Sequence, residues 1–163
     1  MTDKHILDVT CSNRSIWFNK NHPLTVYCDK REGDFSYTFG SPQITRHCDI
    51  HPDIIADFTD LPFEDNSFEL VVFDPPHMLS PNEHGWMTKR YGYYTTKEEA
   101  LNSVRDGFRE CMRVLKPHGT LVFKWSELSI PTREVIDAIE YEPLFGHRSG
   151  KNSGTHWMCF MKE

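Results

Sequence analysis

The chain has 163 residues, 38% of them hydrophobic and 13% aromatic, and it carries a formal net charge of −6. This length and composition predict a single globular domain over residues 1–163, and they exclude a disordered chain. No apolar run reaches the roughly 18 residues of a membrane helix, and the first residues do not resemble a signal peptide, so we expect a cytoplasmic protein without a membrane partner.

Short apolar runs in the first half of the chain predict buried strands. These predicted strands cover residues 5–9, 24–28, 54–56 and 70–73. Between the first two, residues 12–20 are predicted as a short helix that ends near Pro23. Residues 32–52 contain glycines and prolines without a helical period, so we expect loops there, with one hairpin at residues 35–39.

The second half contains the clearest helix. Thr96 and Glu99 fit a capping box, and the apolar residues that follow repeat at helical spacing as far as Leu115. Pro117 and Gly119 are predicted to end this helix. The other predicted elements are a loop over residues 78–94, a strand over 120–125, a helix over 131–139, and a strand pair over 144–145 and 156–161.

Strands that alternate with helices predict an α/β fold, in which a mostly parallel sheet has helices on both faces. The last two predicted strands have no helix between them, so we expect them to form a hairpin. One edge strand of the sheet should therefore be antiparallel to the others.

An acidic residue lies in or directly after each of the first four predicted strands. These residues are Asp8, Asp29, Asp57 and Asp74. Because ligands bind outside the carboxyl ends of parallel strands, the four carboxylates predict one cleft with several hydrogen-bond acceptors. Asp29 lies about 20 residues beyond the first strand, which suits an acceptor for ribose hydroxyls. Taken singly, each aspartate is equally consistent with a turn-forming residue.

The turn after the first strand does not have the GxGxxG pattern, so dinucleotide binding gains no support. Its small polar residues still allow the backbone to approach a ligand that has no phosphate groups. These residues are Thr10, Cys11, Ser12 and Asn13.

The segment Asp74-Pro75-Pro76-His77 follows the fourth predicted strand. The two prolines fix φ and remove two N–H donors, which leaves carbonyl oxygens beside the Asp74 carboxylate. A rigid set of acceptors without competing donors suits an amino group, whose two N–H bonds it would hold. His77 would then stack on the planar ring that carries this amine. A Pro-Pro turn after a buried strand is the structural alternative.

These residues resemble the amino-group branch of the class I S-adenosylmethionine-dependent methyltransferases, and most closely its small phage- and prophage-encoded members. Ile6-Leu7-Asp8-Val9 resembles the first cofactor motif, Asp29 the ribose-binding acid, Asp57-Phe58 the pair beside the adenine, and Asp74 to His77 the catalytic DPPY-type motif. The resemblance implies a Rossmann-like sheet of seven strands, S-adenosyl-L-methionine as the cofactor, and an amine of nucleic acid as the methyl acceptor. We expect no separate target-recognition domain in residues 1–163.

Two groups of residues are candidates for contact with the acceptor. Basic and aromatic side chains on the loop after His77 suit an unstacked base and its phosphates, although these aromatics could instead pack within the protein. Lys124 and Trp125 end the fifth sheet strand and could bind the acceptor or serve only in packing. The candidates on the loop are Lys89, Arg90, Tyr91 and Tyr94, with Trp86 and Tyr93 beside them.

The sequence therefore predicts an S-adenosylmethionine-dependent N-methyltransferase that acts on an exocyclic amino group, with DNA adenine N6 or cytosine N4 preferred to RNA. RNA, a free nucleotide, a protein amide, or a non-catalytic role as a partner subunit are the alternatives. The acidic net charge excludes binding to nucleic acid through bulk charge alone, and a homodimer could supply further contacts. The odd number of cysteines and the lack of a zinc spacing predict free thiols and no metal.

Overall fold

The computed structural model describes residues 4–82, 85–149 and 154–163. Its strands, in chain order, are β1 (Ile6–Asp8), β2 (Thr25–Asp29), β3 (Gly33–Asp34), β4 (Tyr37–Phe39), β5 (Ile44–Arg46), β6 (Asp49–Ile50), β7 (Ile54–Ile55), β8 (Phe68–Phe73), β9 (Leu115–Ser126), β10 (Phe145–Ser149) and β11 (Thr155–Met161). The helices are α1 (Trp86–Tyr91), α2 (Lys97–Val114) and α3 (Thr132–Ile139). None of these described helices has the length and apolar character needed to span a bilayer.

Seven of the strands form one sheet in the order β10-β11-β9-β8-β1-β2-β7. The neighbours from β9 to β7 pair in parallel, and β11 pairs antiparallel with both β9 and β10. This arrangement confirms the predicted α/β fold with a mostly parallel sheet. It brings the carboxyl ends of β1, β2 and β8 to the same edge, where ligands bind in such sheets.

The last strand is antiparallel, as predicted, but it does not lie at the edge of the sheet, because β11 inserts between β9 and β10. The side chains explain this order. Met158 and Phe160 of β11 are buried in the core, whereas Phe145 of β10 is 68% exposed. The strand with the larger buried face therefore takes the inner position, and the hairpin partner forms the edge.

Helix α2 is confirmed, and it covers one face of the sheet. The Thr96 hydroxyl accepts the N–H of Glu99 at 3.1 Å and caps the first turn. Phe108 packs edge-to-face on Phe160, with ring centroids 4.9 Å apart, and lies in the same buried cluster as Val104. Pro117 does not end the helix as predicted, since the backbone becomes extended at Leu115 and continues as β9.

The predicted helix over residues 12–20 is wrong, since this segment forms a series of turns. Ser12 and Arg14 have φ values of 47° and 55°, in the left-handed region that interrupts a right-handed helix. Arg14 donates to the backbone carbonyls of Lys20 and His51, at 2.7 and 2.9 Å. The contact with His51 joins residues 37 positions apart, so local spacing cannot indicate this conformation.

Two further segments differ from the prediction. The hairpin expected at residues 35–39 extends over residues 37–46, because β4 pairs with β5. The predicted loop over residues 78–94 contains α1, a six-residue helix too short to show a helical period. Both elements lie next to the candidate site described below.

We predict that Gly107→Ala destabilises the protein, although alanine favours helices by about 1 kcal/mol over glycine. A Cβ at Gly107 would overlap the Phe58 ring and lie 2.9 Å from Cζ of Phe73. Such overpacking costs about 1–3 kcal/mol, so the net change in unfolding free energy should be a loss. Urea denaturation measures it, and Asn102→Ala on the exposed side of α2 is the control. An increase in stability for Gly107→Ala would contradict this packing.

Candidate active site

A cavity opens at the edge where β1, β2 and β8 end. Its walls come from the turn after β1, the end of β2, the segment after β8, and the segment that follows α1. The lining residues are Val9, Thr10, Cys11, Ser12, Ser15, Ile16, Asp29, Lys30, Arg31, Phe58, Asp74, Pro76, Tyr91, Gly92, Tyr93 and Tyr94.

Asp29 ends β2 and its carboxylate faces this cavity, although the side chain is mostly buried. One oxygen accepts the N–H of Ser12 at 2.9 Å. The other accepts the backbone N–H and the Nε–H of Arg31, at 3.0 and 3.2 Å. A carboxylate offers about four lone-pair sites, so three protein donors leave room for about one further donor.

Asp8 is fully buried behind the cavity and supports the turn after β1. One carboxylate oxygen accepts the Trp17 indole N–H at 2.6 Å, and the other accepts the Thr10 backbone N–H at 3.1 Å. Burial raises the pKa of Asp8 to about 7. The hydroxyl of Thr10 in turn accepts the backbone N–H of Asp74 at 2.8 Å. The first turn and the segment after β8 are thereby tied together.

Only one oxygen of the Asp74 carboxylate accepts a hydrogen bond from the described residues. Lys124 of β9 donates from Nζ to Oδ2 at 2.6 Å, and both side chains are mostly buried. None of the described residues donates a hydrogen bond to Oδ1, and Asp74 lines the cavity. The ion pair fixes the orientation of the carboxylate, so one oxygen remains for a donor that enters the cavity.

The residues after Asp74 form the wall between the cavity and the core. Pro75 is buried, and Pro76 lines the cavity. His77 lies between Tyr91 and Trp125, with ring centroids 6.2 and 6.3 Å away. Burial lowers the pKa of His77, an effect that Asp74 partly offsets. Burial therefore favours the neutral form of this imidazole over the charged form.

The structure brings most of the predicted site residues together at the cavity. Those that line it are Thr10, Cys11, Ser12, Asp29, Phe58, Asp74, Pro76, Tyr91 and Tyr94. Lys124 is not among the lining residues, but it binds Asp74, which is. Tyr94 is almost fully buried and donates its hydroxyl to Ser103 at 3.3 Å, so burial raises its pKa to about 12.

Other predicted residues lie elsewhere. Asn13 faces a separate polar depression, and Asp57 accepts the backbone N–H and the hydroxyl of Thr59. Lys89 and Arg90 belong to α1 and do not line the cavity.

The predicted contact of Trp125 with the acceptor is corrected by the structure. This side chain is 1% exposed and donates its indole N–H to the Ile130 carbonyl at 3.0 Å. Trp125 therefore belongs to the core and supports His77 from behind.

Arg31 is the main site residue that the sequence did not indicate. Its Nε donates to Asp29, and its Nη1 donates to the backbone carbonyls of Lys89 and Arg90, each at 3.1 Å. It thus joins the end of β2 to α1, which closes one side of the cavity. No sequence pattern marks a basic residue that stands two positions after an aspartate. The carbonyl partners of Arg31, those of Lys89 and Arg90, belong to α1, a helix that was not predicted.

The residues that the structure describes contain no group of three or more His, Cys, Asp or Glu side chains that could hold a metal ion. The sequence matches no family model and no curated protein. The fold, in contrast, has counterparts among solved structures.

Three structural neighbours illustrate what this fold is. A SAM-dependent methyltransferase of Methanosarcina mazei superposes with a TM-score of 0.53 at 11% identity, covering 99% of this chain and 94% of that chain. A SAM-dependent methyltransferase of Leishmania major gives 0.56 at 12% identity, covering 98% and 64%. The [4+2]-cyclase SpnF gives 0.55 at 11% identity, covering 99% and 76%. The chain therefore has the Rossmann-like class I methyltransferase fold. Sequence identities of 11% and 12% establish the fold but not the reaction that the protein catalyses.

We predict that Asp8→Asn changes how stability depends on pH. The pKa of Asp8 is about 7 in the folded protein, against an ordinary value of 3.8 for the free side chain. Folding is therefore accompanied by the uptake of a proton between about pH 4 and pH 7. The unfolding free energy of the wild type should therefore fall relative to Asp8→Asn as pH rises through this window, and level off above it. Denaturation at several pH values measures the difference, with Glu98→Gln as an exposed control. If the difference in unfolding free energy between the two proteins does not vary with pH, then Asp8 is not a buried group that becomes charged in this pH range.

Proposed function

We propose that the protein is an S-adenosylmethionine-dependent N-methyltransferase that acts on an exocyclic amino group of a nucleic-acid base, with DNA preferred to RNA. The observation that carries this proposal is the Asp74 carboxylate. Its Oδ2 is held by Lys124, its Oδ1 accepts no hydrogen bond from the described residues, and two prolines without N–H donors follow it. Such a set of acceptors suits a group that offers two N–H bonds.

The cavity has residues suited to S-adenosylmethionine. Asp29 would accept a ribose hydroxyl, and Phe58, which also lines the cavity, would contact the adenine ring. The Asp29 carboxylate has space for about one donor beyond those that it already binds, so a second ribose hydroxyl requires the Arg31 Nε to move away. When bound, this cofactor supplies a methyl group on a positively charged sulfur.

The chain's own residues would orient the acceptor. Asp74 Oδ1 and the adjacent proline carbonyl accept the two amine hydrogens, which directs the nitrogen lone pair away from the protein wall. His77 and Tyr91 provide flat surfaces for the ring that carries the amine. Positioning of this kind needs no strong general base, because the nitrogen can lose a proton after it has gained the methyl group.

The same residues would serve an amine on RNA, a free nucleotide or a protein amide. The net charge of −6 is compatible with these acceptors. A non-catalytic partner subunit would have no use for the acceptor set at Asp74. Contacts to a larger acceptor would come from the surface around α1 or from a second copy in a homodimer.

We predict that Asp74→Ala abolishes methyl transfer but spares cofactor binding. Loss of a preorganised group at the reacting atom costs about 100-fold or more in rate, whereas Asp74 is not the ribose acceptor. Transfer of a radiolabelled methyl group to unmethylated DNA measures the rate, and calorimetry measures cofactor affinity. Asp137→Ala, at an exposed aspartate of α3, is the matched control. Transfer by Asp74→Ala at the wild-type rate would exclude this carboxylate from the chemistry.

We predict the opposite pattern for Asp29→Ala. Removal of the ribose acceptor should weaken S-adenosylmethionine binding by about 10-fold or more, since a hydrogen bond to a charged group contributes about 1.5–3 kcal/mol. Calorimetric titration with the cofactor provides the measurement. An unchanged dissociation constant in a folded variant would place the cofactor elsewhere.

A further inference from the structure

Three aromatic side chains form a continuous row across the hairpin β4–β5 and helix α1. Phe39 and Tyr37 of β4 stack with ring centroids 5.9 Å apart and planes inclined by 20°. Tyr37 in turn lies 6.3 Å from the ring of Trp86 at the start of α1, with an inclination of 32°. All three side chains remain partly exposed. The row therefore presents aromatic surface to solvent and is not part of the core.

A cation accompanies each ring of this row. The Arg46 guanidinium lies 5.1 Å from the Phe39 ring, and the Lys89 ammonium lies 5.5 Å from the Tyr37 ring. Arg90 lies 6.0 Å from the Trp86 ring and 4.8 Å from the Tyr91 ring. Its Nε is buried and has no hydrogen-bond partner among the described residues.

The charge of this surface is opposite to that of the whole chain. Residues 37–46 and 86–91 contain Arg46, Lys89 and Arg90, and neither segment contains an aspartate or a glutamate. The chain as a whole carries −6. Positive charge is thus concentrated beside exposed rings, where it attracts an anion that also has flat apolar groups.

The surface is connected directly to the cavity. Helix α1 leads into Tyr91, Gly92, Tyr93 and Tyr94, which form one wall of the cavity. Arg31 binds the carbonyls of Lys89 and Arg90 while it also binds Asp29. A chain-like ligand that lies along the aromatic row would therefore have its next unit at the mouth of the cavity.

We propose that the hairpin β4–β5 and helix α1 form a binding surface for a single nucleic-acid strand and hold the nucleotides that flank the acceptor base. The aromatic row stacks on bases while the cations contact phosphates, a combination that binds single strands with little sequence preference. This proposal rests on the proposed function, since it identifies how that site obtains its substrate.

Fluorescence anisotropy with a labelled single-stranded DNA of 12 nucleotides tests this surface. Arg46→Gln should weaken binding by about 5-fold and reduce the slope of log affinity against log salt by about 0.7, the value for one phosphate contact on a single strand. Phe39→Leu should weaken binding without change in that slope, because it removes stacking only. Arg109→Gln, an equal change of charge at an exposed residue of α2, is the matched control and should bind as the wild type does.

The outcomes separate this proposal from the proposed function. Equal binding by Arg46→Gln and Arg109→Gln, with methyl transfer to DNA intact, would overturn the surface and leave the activity in place. Cofactor binding with no affinity for single-stranded DNA, duplex DNA or RNA would overturn both. Tighter binding of a poly-glutamate peptide than of the oligonucleotide would identify an acidic protein as the occupant and overturn the nucleic-acid assignment. Thermal melting confirms that each variant is folded.

Discussion

The site depends on one short series of hydrogen bonds that begins at a buried carboxyl group. Asp8 accepts the Thr10 N–H, and the Thr10 hydroxyl accepts the Asp74 N–H. These bonds join the end of β1 to the segment after β8, two strands that are neighbours in the sheet. With Lys124 on the opposite side, they determine the position and orientation of the Asp74 carboxylate. The acceptor proposed to hold the amine is thus fixed before any ligand binds.

The sequence predicted the parts of this site that follow from strand order. Apolar runs located β1, β2, β7 and β8, and parallel pairing then required their carboxyl ends to meet. Asp29 and Asp74 therefore reach one cavity, as their positions after the second and fourth predicted strands indicated, whereas Asp8 and Asp57 do not line it. The apolar spacing of α2 likewise predicted the helix that covers the core. In each case the local sequence pattern and the topology of the sheet predict the same structure.

The parts that could not be predicted are fixed by contacts between residues distant in sequence. Arg14 joins the turns after β1 to the carbonyl of the distant residue His51, where a helix was expected. Arg31 bridges Asp29 and α1, a helix too short to recognise by spacing. Trp125 is drawn into the core by its bond to Ile130, although its place at the end of a strand suggested a contact with the acceptor. No periodic pattern accompanies any of these contacts.

The identity of the methylated atom tests the account most directly. The wild-type protein would be incubated with radiolabelled S-adenosylmethionine and unmethylated DNA, with RNA and protein in parallel, and the products would be digested and separated by chromatography. The acceptor set at Asp74 predicts label on an exocyclic nitrogen, as N6-methyladenine or N4-methylcytosine. Label on a carbon atom such as C5 of cytosine, or no label in any acceptor, would contradict it.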